Sequence, residues 1–220
     1  MVNKLVLSTL SLAELKQYVN VEQKGIRNYV WTHVEAVALT PEEEHRVQSL
    51  QKLLATDPVH LLNEATIWAR VIYPLIQLAE AEDIRALAGV PLQAHYPKFE
   101  LEGIADGVIG KSYVGKIESP YLVMVETKRG IEGQNPIFQL YGQLLAAARL
   151  NWEDNHQEGQ EVFGCYTIAD SWTFVRAEVS HIDSDQPSLR AELSKEYSEK
   201  VDAATILKLL KAIVAKYIDR

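Results

Sequence analysis

The feature that most constrains the fold is the segment at residues 120–128, PYLVMVETK, which is almost continuously apolar until its charged end. Such a strand is expected to be covered on both faces, because it lacks the alternating polar positions of a half-exposed strand. Residues 98–109, KFELEGIADGVI, predict a second strand, and residues 110–119, which contain Gly110 and Gly115, predict a hairpin connection. We therefore expect antiparallel strands inside a sheet that is flanked by helices.

Two helix starts precede these strands. Residues 40–43, Thr-Pro-Glu-Glu, supply an N-cap, a proline at the first helical position and a capping-box glutamate, and they predict a helix over residues 41–55. Residues 56–58, Thr-Asp-Pro, repeat this pattern and predict a second helix from about residue 58, with a kink at Pro74. The apolar stripe of the second helix consists of Ile67, Trp68, Val71 and Leu75.

The remaining elements complete a mixed α/β pattern. Asn135 and Pro136 predict the start of a helix that continues to about residue 151. Strands at 161–168 and 172–181 and an amphipathic helix at 201–217 follow. The order indicates one α/β domain of 220 residues rather than a doubly wound nucleotide-binding fold. We expect a helical N-terminal extension over 1–57, a core over 58–169, and a hairpin strand and C-terminal helix over 170–220.

Composition favours a soluble, cytoplasmic protein without a membrane partner. No segment reaches the roughly 18 uninterrupted apolar residues that a membrane span requires. Ser11 and Glu14 predict a capping box that opens a helix, which argues against a signal peptide. Cys165 is the only cysteine, which excludes an internal disulfide and fits a reducing compartment.

The formal net charge of −8 argues against a protein that binds nucleic acid over its whole surface. Phosphate neutralisation by lysine and arginine supplies most of the affinity of such proteins. A nucleic-acid-binding protein with this charge would need a local basic rim to hold its ligand. The candidates for this rim are Lys98, Lys111, Lys116, Arg129 and Arg149.

The candidate chemistry is concentrated at the end of the apolar strand. Alternate residues of a strand point to the same face, so Glu126 and Lys128 are expected to project together. Asp106, late in the preceding strand, can face them if the two strands are neighbours. Two converging carboxylates form a hard-oxygen site for a small divalent cation, and an adjacent lysine can assist an attacking water and offset charge on a phosphate.

Two further polar residues accompany this set. Glu64 falls at helical spacing before the apolar stripe of the second helix, which predicts a carboxylate on a buried face. Burying an ionised group costs several kcal/mol unless it is paired or bound to a metal ion. Gln139 and Gln143, one turn apart on the next helix, could orient substrate or water.

These residues together resemble the PD-(D/E)xK, or restriction-endonuclease-like, superfamily of nucleases. The resemblance covers about residues 58–169 and rests on Glu64, Asp106 in GIADGVI, Glu126 and Lys128 in VETK, and Gln139 in FQLYGQLL. It implies a central mixed sheet flanked by helices, with Asp106, Glu126 and Glu64 around Mg or Mn, Lys128 as the catalytic lysine and Gln139 as the glutamine of the following helix. The implied substrate is nucleic acid, and DNA is favoured over RNA. One departure is that no proline precedes Asp106.

Other functions stay open at this point. A catalytically inactive module of this fold, which binds nucleic acid or a partner protein, fits the negative charge better. The segment at residues 110–112, Gly-Lys-Ser, resembles part of a phosphate-binding loop, but the residues after it do not predict the helix that such a loop requires. The six histidines form no close pair, so a zinc site has little support. The C-terminal helix packs on the core or forms the seam of a homodimer.

Overall fold

A computed structural model describes residues 3–56, 58–128, 130 and 135–218. Its strands are β1 (Asn3–Val6), β2 (Asn20–Ile26), β3 (Ile84–His95), β4 (Phe99–Tyr113), β5 (Lys116–Lys128), β6 (Gln160–Ile168), β7 (Ser171–Ser180) and β8 (Ser188–Ser198). Its α-helices are α1 (Leu12–Leu15), α2 (Pro41–Thr56), α3 (Glu64–Ile67), α4 (Tyr73–Gln77), α5 (Pro136–Asn155) and α6 (Glu199–Ile218). None of the helices in these described ranges is both long and apolar enough to cross a membrane.

The strands form one eight-stranded mixed sheet in the order β1-β4-β5-β6-β7-β8-β2, with β3 paired to β4. The β1–β4, β5–β6 and β2–β8 pairs are parallel, and the other pairs are antiparallel. Two apolar clusters cover the two faces of the sheet. One contains the buried side of α5, and the other contains residues of α2, α3, α4 and α6. The apolar run of β5 therefore lies between two helical layers, as the sequence predicts.

One edge of β4 is shared by two strands. β3 pairs with β4 along the opposite edge. On the shared edge, the β1 ladder ends where Val6 lies opposite Glu102, and the β5 ladder ends where Val125 lies opposite Gly107. Residues 103–106 therefore lack a paired strand on this edge in the part of the chain that the structure describes. The interruption leaves room for side chains at the middle of β4.

Several local predictions are confirmed. Ser11 and Glu14 form the capping box of α1, and the Thr40 hydroxyl and Glu43 carboxylate make the reciprocal bonds before α2. The Asn135 side chain caps α5, which extends to Asn155. The apolar side of α6, including Ile206, Leu210 and Ile213, is buried in the second cluster. A homodimer stays a prediction.

The N-terminal extension is not simply helical, which corrects the prediction for residues 1–57. Within its described part, β1 and β2 join the sheet next to β4 and β8. Both strands are short, and β2 is mostly exposed, so neither carries an apolar run that marks a strand. The long strands β3 and β8 were not predicted either, although β3 alternates buried and exposed residues along much of its length.

Two boundaries differ from the sequence expectation. The β4–β5 hairpin turns at Val114 and Gly115 alone, where both φ angles are positive, at 50° and 76°. The second helical segment has only a 3₁₀ turn at Val59–Leu61 and enters its α-helical part at Glu64, with the Asn63 side chain as N-cap. Asp57, which was part of the predicted start, lies outside the described residues. A π-helical stretch at Trp68–Ile72 precedes α4, where the backbone accommodates Pro74.

Candidate active site

Asp106 occupies the interruption on the shared edge of β4. Its Oδ2 atom accepts a hydrogen bond of 2.7 Å from the backbone N–H of Thr127. The carboxylate therefore binds a β5 amide just beyond the last backbone pair of the β4–β5 ladder, Gly107 with Val125. The sequence suggested that Asp106 lies late in its strand. It lies instead at the middle of β4, because β4 continues to Tyr113. The expected neighbourhood of β4 and β5 is confirmed.

Glu126 is fully buried at the end of β5. Its Oε2 atom accepts a hydrogen bond of 2.7 Å from Nε2 of Gln143, on α5. Its Oε1 atom lies 2.5 Å from Nζ of Lys128, whose side chain is 25% exposed. Lys128 therefore neutralises a buried carboxylate while its own side chain reaches the surface. The predicted shared face of Glu126 and Lys128 is confirmed.

The environment raises the pKa of both carboxyl groups. Burial is the main cause for Glu126, and the charge of Asp106 adds to it, so the pKa of Glu126 rises to about 7 although Lys128 and Gln143 favour the ionised form. Burial also raises the pKa of Asp106, against the hydrogen bond from Thr127 and the charge of Lys128. Burial alone would lower the pKa of Lys128, but its contact with Glu126 raises it. A proton on Glu126, or a cation beside it, is therefore favoured near neutral pH.

Asp106 also lines an open cavity of about 300 Å³ together with Glu64, Trp68, Gly89 and Thr127. The Trp68 ring packs against the backbone of β4 at Gly107, where any side chain larger than hydrogen would place its Cβ 2.4 Å from the ring. Gly107 is therefore needed for the indole to lie beside the carboxylate. The cavity gives Asp106 access to solvent, whereas Glu126 is fully buried and does not line it.

The position of Glu64 corrects one expectation. Glu64 is exposed and is the first residue of α3, so it does not lie on the buried stripe. The prediction assumed regular helical spacing from residue 58, whereas the α-helical part begins only at Glu64. Ile67, Val71 and Leu75 are buried as expected. Glu64 still lines the cavity of Asp106, and its charge contributes to raising the pKa of Asp106.

The helix glutamine that contacts the site is Gln143 and not Gln139. Gln143 is fully buried and donates to Glu126, whereas Gln139, one turn earlier, makes no hydrogen bond within the described chain. Gln139 and Gln143 are four residues apart, so the sequence places both on the same face of α5 and does not distinguish between them. The distinction depends on where α5 crosses β5, which the sequence does not specify.

A divalent cation fits the donor set formed by Asp106 and Glu126. Both groups offer carboxylate oxygens, which Mg²⁺ and Mn²⁺ prefer, and a cation would offset the burial that raises both pKa values and the repulsion that Asp106 exerts on Glu126. Three or more acidic, histidine or cysteine side chains do not converge into one metal-binding group anywhere in the described ranges. The predicted metal ligand Glu64 does not join Asp106 and Glu126 in such a group and lies on the cavity wall, where it would act as a supporting acid.

The members of the expected basic rim that the structure describes do not assemble around this site. Lys98 pairs with Asp185, Lys111 with Asp83, and Arg149 with Glu153 and Asp183. Lys98 and Lys116 lie near opposite ends of β4, roughly 23–26 Å from Asp106 along the strand at about 3.3 Å per residue. Arg129 lies outside the described residues. Proximity in sequence to Glu126 and Lys128 was therefore a poor guide to basic surface near the site.

A comparison with protein-family models finds none that matches the chain, and a comparison with curated protein sequences finds no significant match.

Proposed function

We propose that this protein is a magnesium- or manganese-dependent nuclease with a restriction-endonuclease-like core, which hydrolyses phosphodiester bonds of nucleic acid, DNA more than RNA. The observation that carries the proposal is the convergence of Asp106, Glu126 and Lys128 where β4 and β5 stop pairing. Two acids with raised pKa values beside a lysine and an open cavity are an arrangement suited to metal-assisted phosphoryl chemistry.

The proposed roles follow from the position of each side chain. Asp106 and Glu126 hold the cation, and Glu64 assists from the cavity wall. When bound, such a cation polarises a phosphoryl oxygen and lowers the pKa of a coordinated water. Gln143 fixes the orientation of the Glu126 carboxylate through its 2.7 Å hydrogen bond. Gln139 has no comparable contact, so Gln143 takes its place in the proposed site.

Lys128 supplies the fixed positive charge. Its ammonium group contacts Glu126 and also interacts with the charges of Asp106 and Glu64, so it remains protonated. A protonated lysine cannot abstract a proton, but it can hold the attacking water by hydrogen bonding and offset the charge that builds on the phosphate oxygens. Its partial exposure permits contact with a substrate phosphate.

The arrangement of elements supports the proposed fold relationship in part. A helix bearing Glu64, the antiparallel strands β4 and β5, helix α5 and strand β6 occur in the expected order, with β6 parallel to β5. The remaining strands enlarge this arrangement into the eight-stranded sheet. The proposed core is therefore residues 58–169 with additions on both edges of the sheet.

A second candidate function is a catalytically inactive module that binds nucleic acid or a partner protein. The favouring observation is that Lys128 is paired with Glu126, while three of the basic residues expected near the site form ion pairs elsewhere, namely Lys98, Lys111 and Arg149. In this case the acid–lysine pair would serve only to neutralise a buried carboxylate. The two candidates differ in whether a divalent cation binds and whether a phosphodiester is cleaved.

The deciding experiment is a cleavage assay with the purified protein. Linear, branched, nicked and single-stranded DNA, and single-stranded RNA, are incubated with Mg²⁺, Mn²⁺ or chelator. The parent protein, Glu126→Gln and Lys128→Ala are compared with Lys116→Ala, which removes an exposed lysine at the tip of the hairpin. Cleavage that requires the metal and the two site residues, but not Lys116, supports a nuclease. No cleavage of any substrate, with cation binding also absent, supports the inactive module.

A further inference from the structure

A second cavity, of about 780 Å³, lies at a different part of the sheet from the acidic site. Its wall combines three parts of the chain: the end of β2 with the segment that follows it, the last residues of β8, and the first half of α6. Arg27 comes from the first part, Lys195 from the second and Lys208 from the third. The fold therefore brings three cationic side chains to one concave surface although they are distant in sequence.

These three cations differ from most basic residues of the protein. None of them forms an ion pair with a carboxylate in the described portion of the chain, whereas Arg176, Lys211 and similar residues are paired. Glu35 is the only carboxylate among the lining residues. In a chain with a formal net charge of −8, this surface is a local positive region. Such a concave region attracts and concentrates anions.

The strand register places this cavity at the same end of the sheet as the acidic site. Thr127 on β5 lies opposite Thr167 on β6, Thr167 opposite Trp172 on β7, and Trp172 opposite Tyr197 on β8. These four residues form one row across the sheet, in which Thr127 lines the cavity of Asp106 and Tyr197 lines the larger cavity. Three inter-strand steps of about 4.8 Å separate Thr127 from Tyr197, which gives roughly 14 Å across the sheet.

The rim of the cavity also offers apolar surface. Ile26, which lines it, is 65% exposed. A positively charged groove is the feature by which proteins track the backbone of a single nucleic-acid strand. A spacing of roughly 14 Å corresponds to about four phosphates of one strand, at about 3.4 Å per phosphate along a duplex axis.

We infer that the surface formed by Arg27, Lys195 and Lys208, here called the cationic cavity, binds phosphates of the nucleic-acid strand whose scissile bond lies at Asp106 and Glu126. The inference rests on the proposed nuclease function and supplies the basic surface that the acidic site lacks. The ligand groups are phosphodiesters of the strand a few nucleotides from the cleavage point. The cavity contributes to substrate binding and not to the chemical step.

The test compares two triple variants of equal net charge. The first is Arg27→Gln/Lys195→Gln/Lys208→Gln in the cationic cavity. The second is Lys16→Gln/Lys52→Gln/Lys116→Gln, which removes three exposed lysines that do not line this cavity. Binding of a fluorescent single-stranded oligonucleotide, in calcium, is measured by anisotropy across a salt series, and cleavage is measured in magnesium. Circular dichroism and thermal unfolding check the fold, and Lys208→Gln alone serves if the first triple variant is unstable.

The cavity variant is expected to bind about tenfold or more weakly, and the slope of its affinity against salt should fall in magnitude by about 2–3, since each phosphate contact contributes about 0.7–0.9. Its cleavage rate at saturating substrate should stay at the parent value. Equal affinity and salt slope for the cavity variant and the parent, with parental cleavage intact, would overturn the inference and leave the nuclease proposal standing. Failure of the parent to bind or cleave any nucleic acid would overturn both.

A competition experiment distinguishes a nucleic-acid strand from a small phosphate compound as the ligand of the cationic cavity. Inorganic phosphate and a mononucleotide are titrated as competitors against the bound oligonucleotide. Competition only at concentrations at least 100-fold above the oligonucleotide Kd supports a strand that is held through several phosphates. Displacement by either small anion near that Kd would overturn the inference in favour of a site for a free phosphate compound.

Discussion

The carboxylate of Asp106 accepts a hydrogen bond of 2.7 Å from the backbone N–H of Thr127. Because Thr127 lies between Glu126 and Lys128 on β5, this bond fixes Asp106 relative to both of them through the backbone of one strand. The interruption of the ladder on the shared edge of β4 makes the bond available, since that amide lies beyond the last β4–β5 backbone pair. The geometry of the site therefore depends on the sheet and not on flexible side chains alone.

The replacement Asp106→Asn should weaken the response to metal without loosening the fold. The asparagine side-chain oxygen can still accept the Thr127 N–H, and the repulsion between Asp106 and Glu126 is relieved. The metal-free melting temperature should therefore stay equal or rise. In the parent, Mg²⁺ or Mn²⁺ at a hundredfold excess over Kd should stabilise the folded state by about 2.7 kcal/mol.

Thermal unfolding with and without metal provides the measurement for Asp106. Asp154→Asn is the matched control, because Asp154 is exposed near the end of α5 and forms no ion pair within the described chain. The control should keep the full metal response of the parent. An equal metal response in Asp106→Asn and the parent would contradict a cation shared by Asp106 and Glu126.

The replacement Lys128→Ala should abolish most cleavage while metal binding is retained. An ammonium group does not coordinate a cation, so its loss removes a charge that acts in the transition state and no metal ligand. Loss of one well-placed donor of this kind typically costs about 10²–10³ in rate. Single-turnover cleavage and the metal-dependent shift in melting temperature are measured together, with Lys116→Ala as control. Cleavage by Lys128→Ala at the parent rate would mean that another group supplies the positive charge in the transition state.

Much of the core fold could be predicted because its elements carry strong local signals. The apolar run of β5 and the capping residues of α2 and α5 each determine an element almost alone. The edge strands β1 and β2 could not be predicted in this way, since they are short and are stabilised by pairing with β4 and β8. Strand pairing between distant segments is a tertiary property that local propensity does not encode.

The acidic site was predicted more completely than its surroundings. The alternation of a strand is sufficient to place Glu126 and Lys128 on one face, and the adjacent strand supplies Asp106. The choice between Gln139 and Gln143 required the crossing point of α5 over β5, and the exposure of Glu64 required the true start of α3. Arg27, Lys195 and Lys208 share no sequence signal, because only the packing of β2, β8 and α6 brings them together.

Gln143 should act as a positioning residue for Glu126. Its amide donates to the carboxylate and so favours the ionised form, which opposes the burial that raises the pKa of Glu126 and leaves that pKa at about 7. The replacement Gln143→Leu should raise the pKa of Glu126 further and destabilise the protein by about 1–3 kcal/mol, since a buried acceptor loses its donor. The pH at which metal stabilisation is half-complete should move upward in Gln143→Leu and not in Gln139→Leu. The same midpoint in all three proteins would leave Gln143 with a packing role only.

Glu199, at the start of α6, should make stability fall as pH rises through the neutral range. Burial raises its pKa from 4.5 to about 8, against the hydrogen bond of 2.8 Å from Trp172 Nε1. Between these two values the unfolded chain releases the proton while the folded chain keeps it, so up to about 1.4 kcal/mol of stability is lost per pH unit. Glu199→Gln keeps an acceptor for Trp172 but cannot ionise. The melting temperature of the variant minus that of the parent should therefore increase between pH 5 and pH 8.5. The exposed control Glu158→Gln should show no such gain. A constant difference between Glu199→Gln and the parent over this range would mean that Glu199 is already ionised in the folded protein.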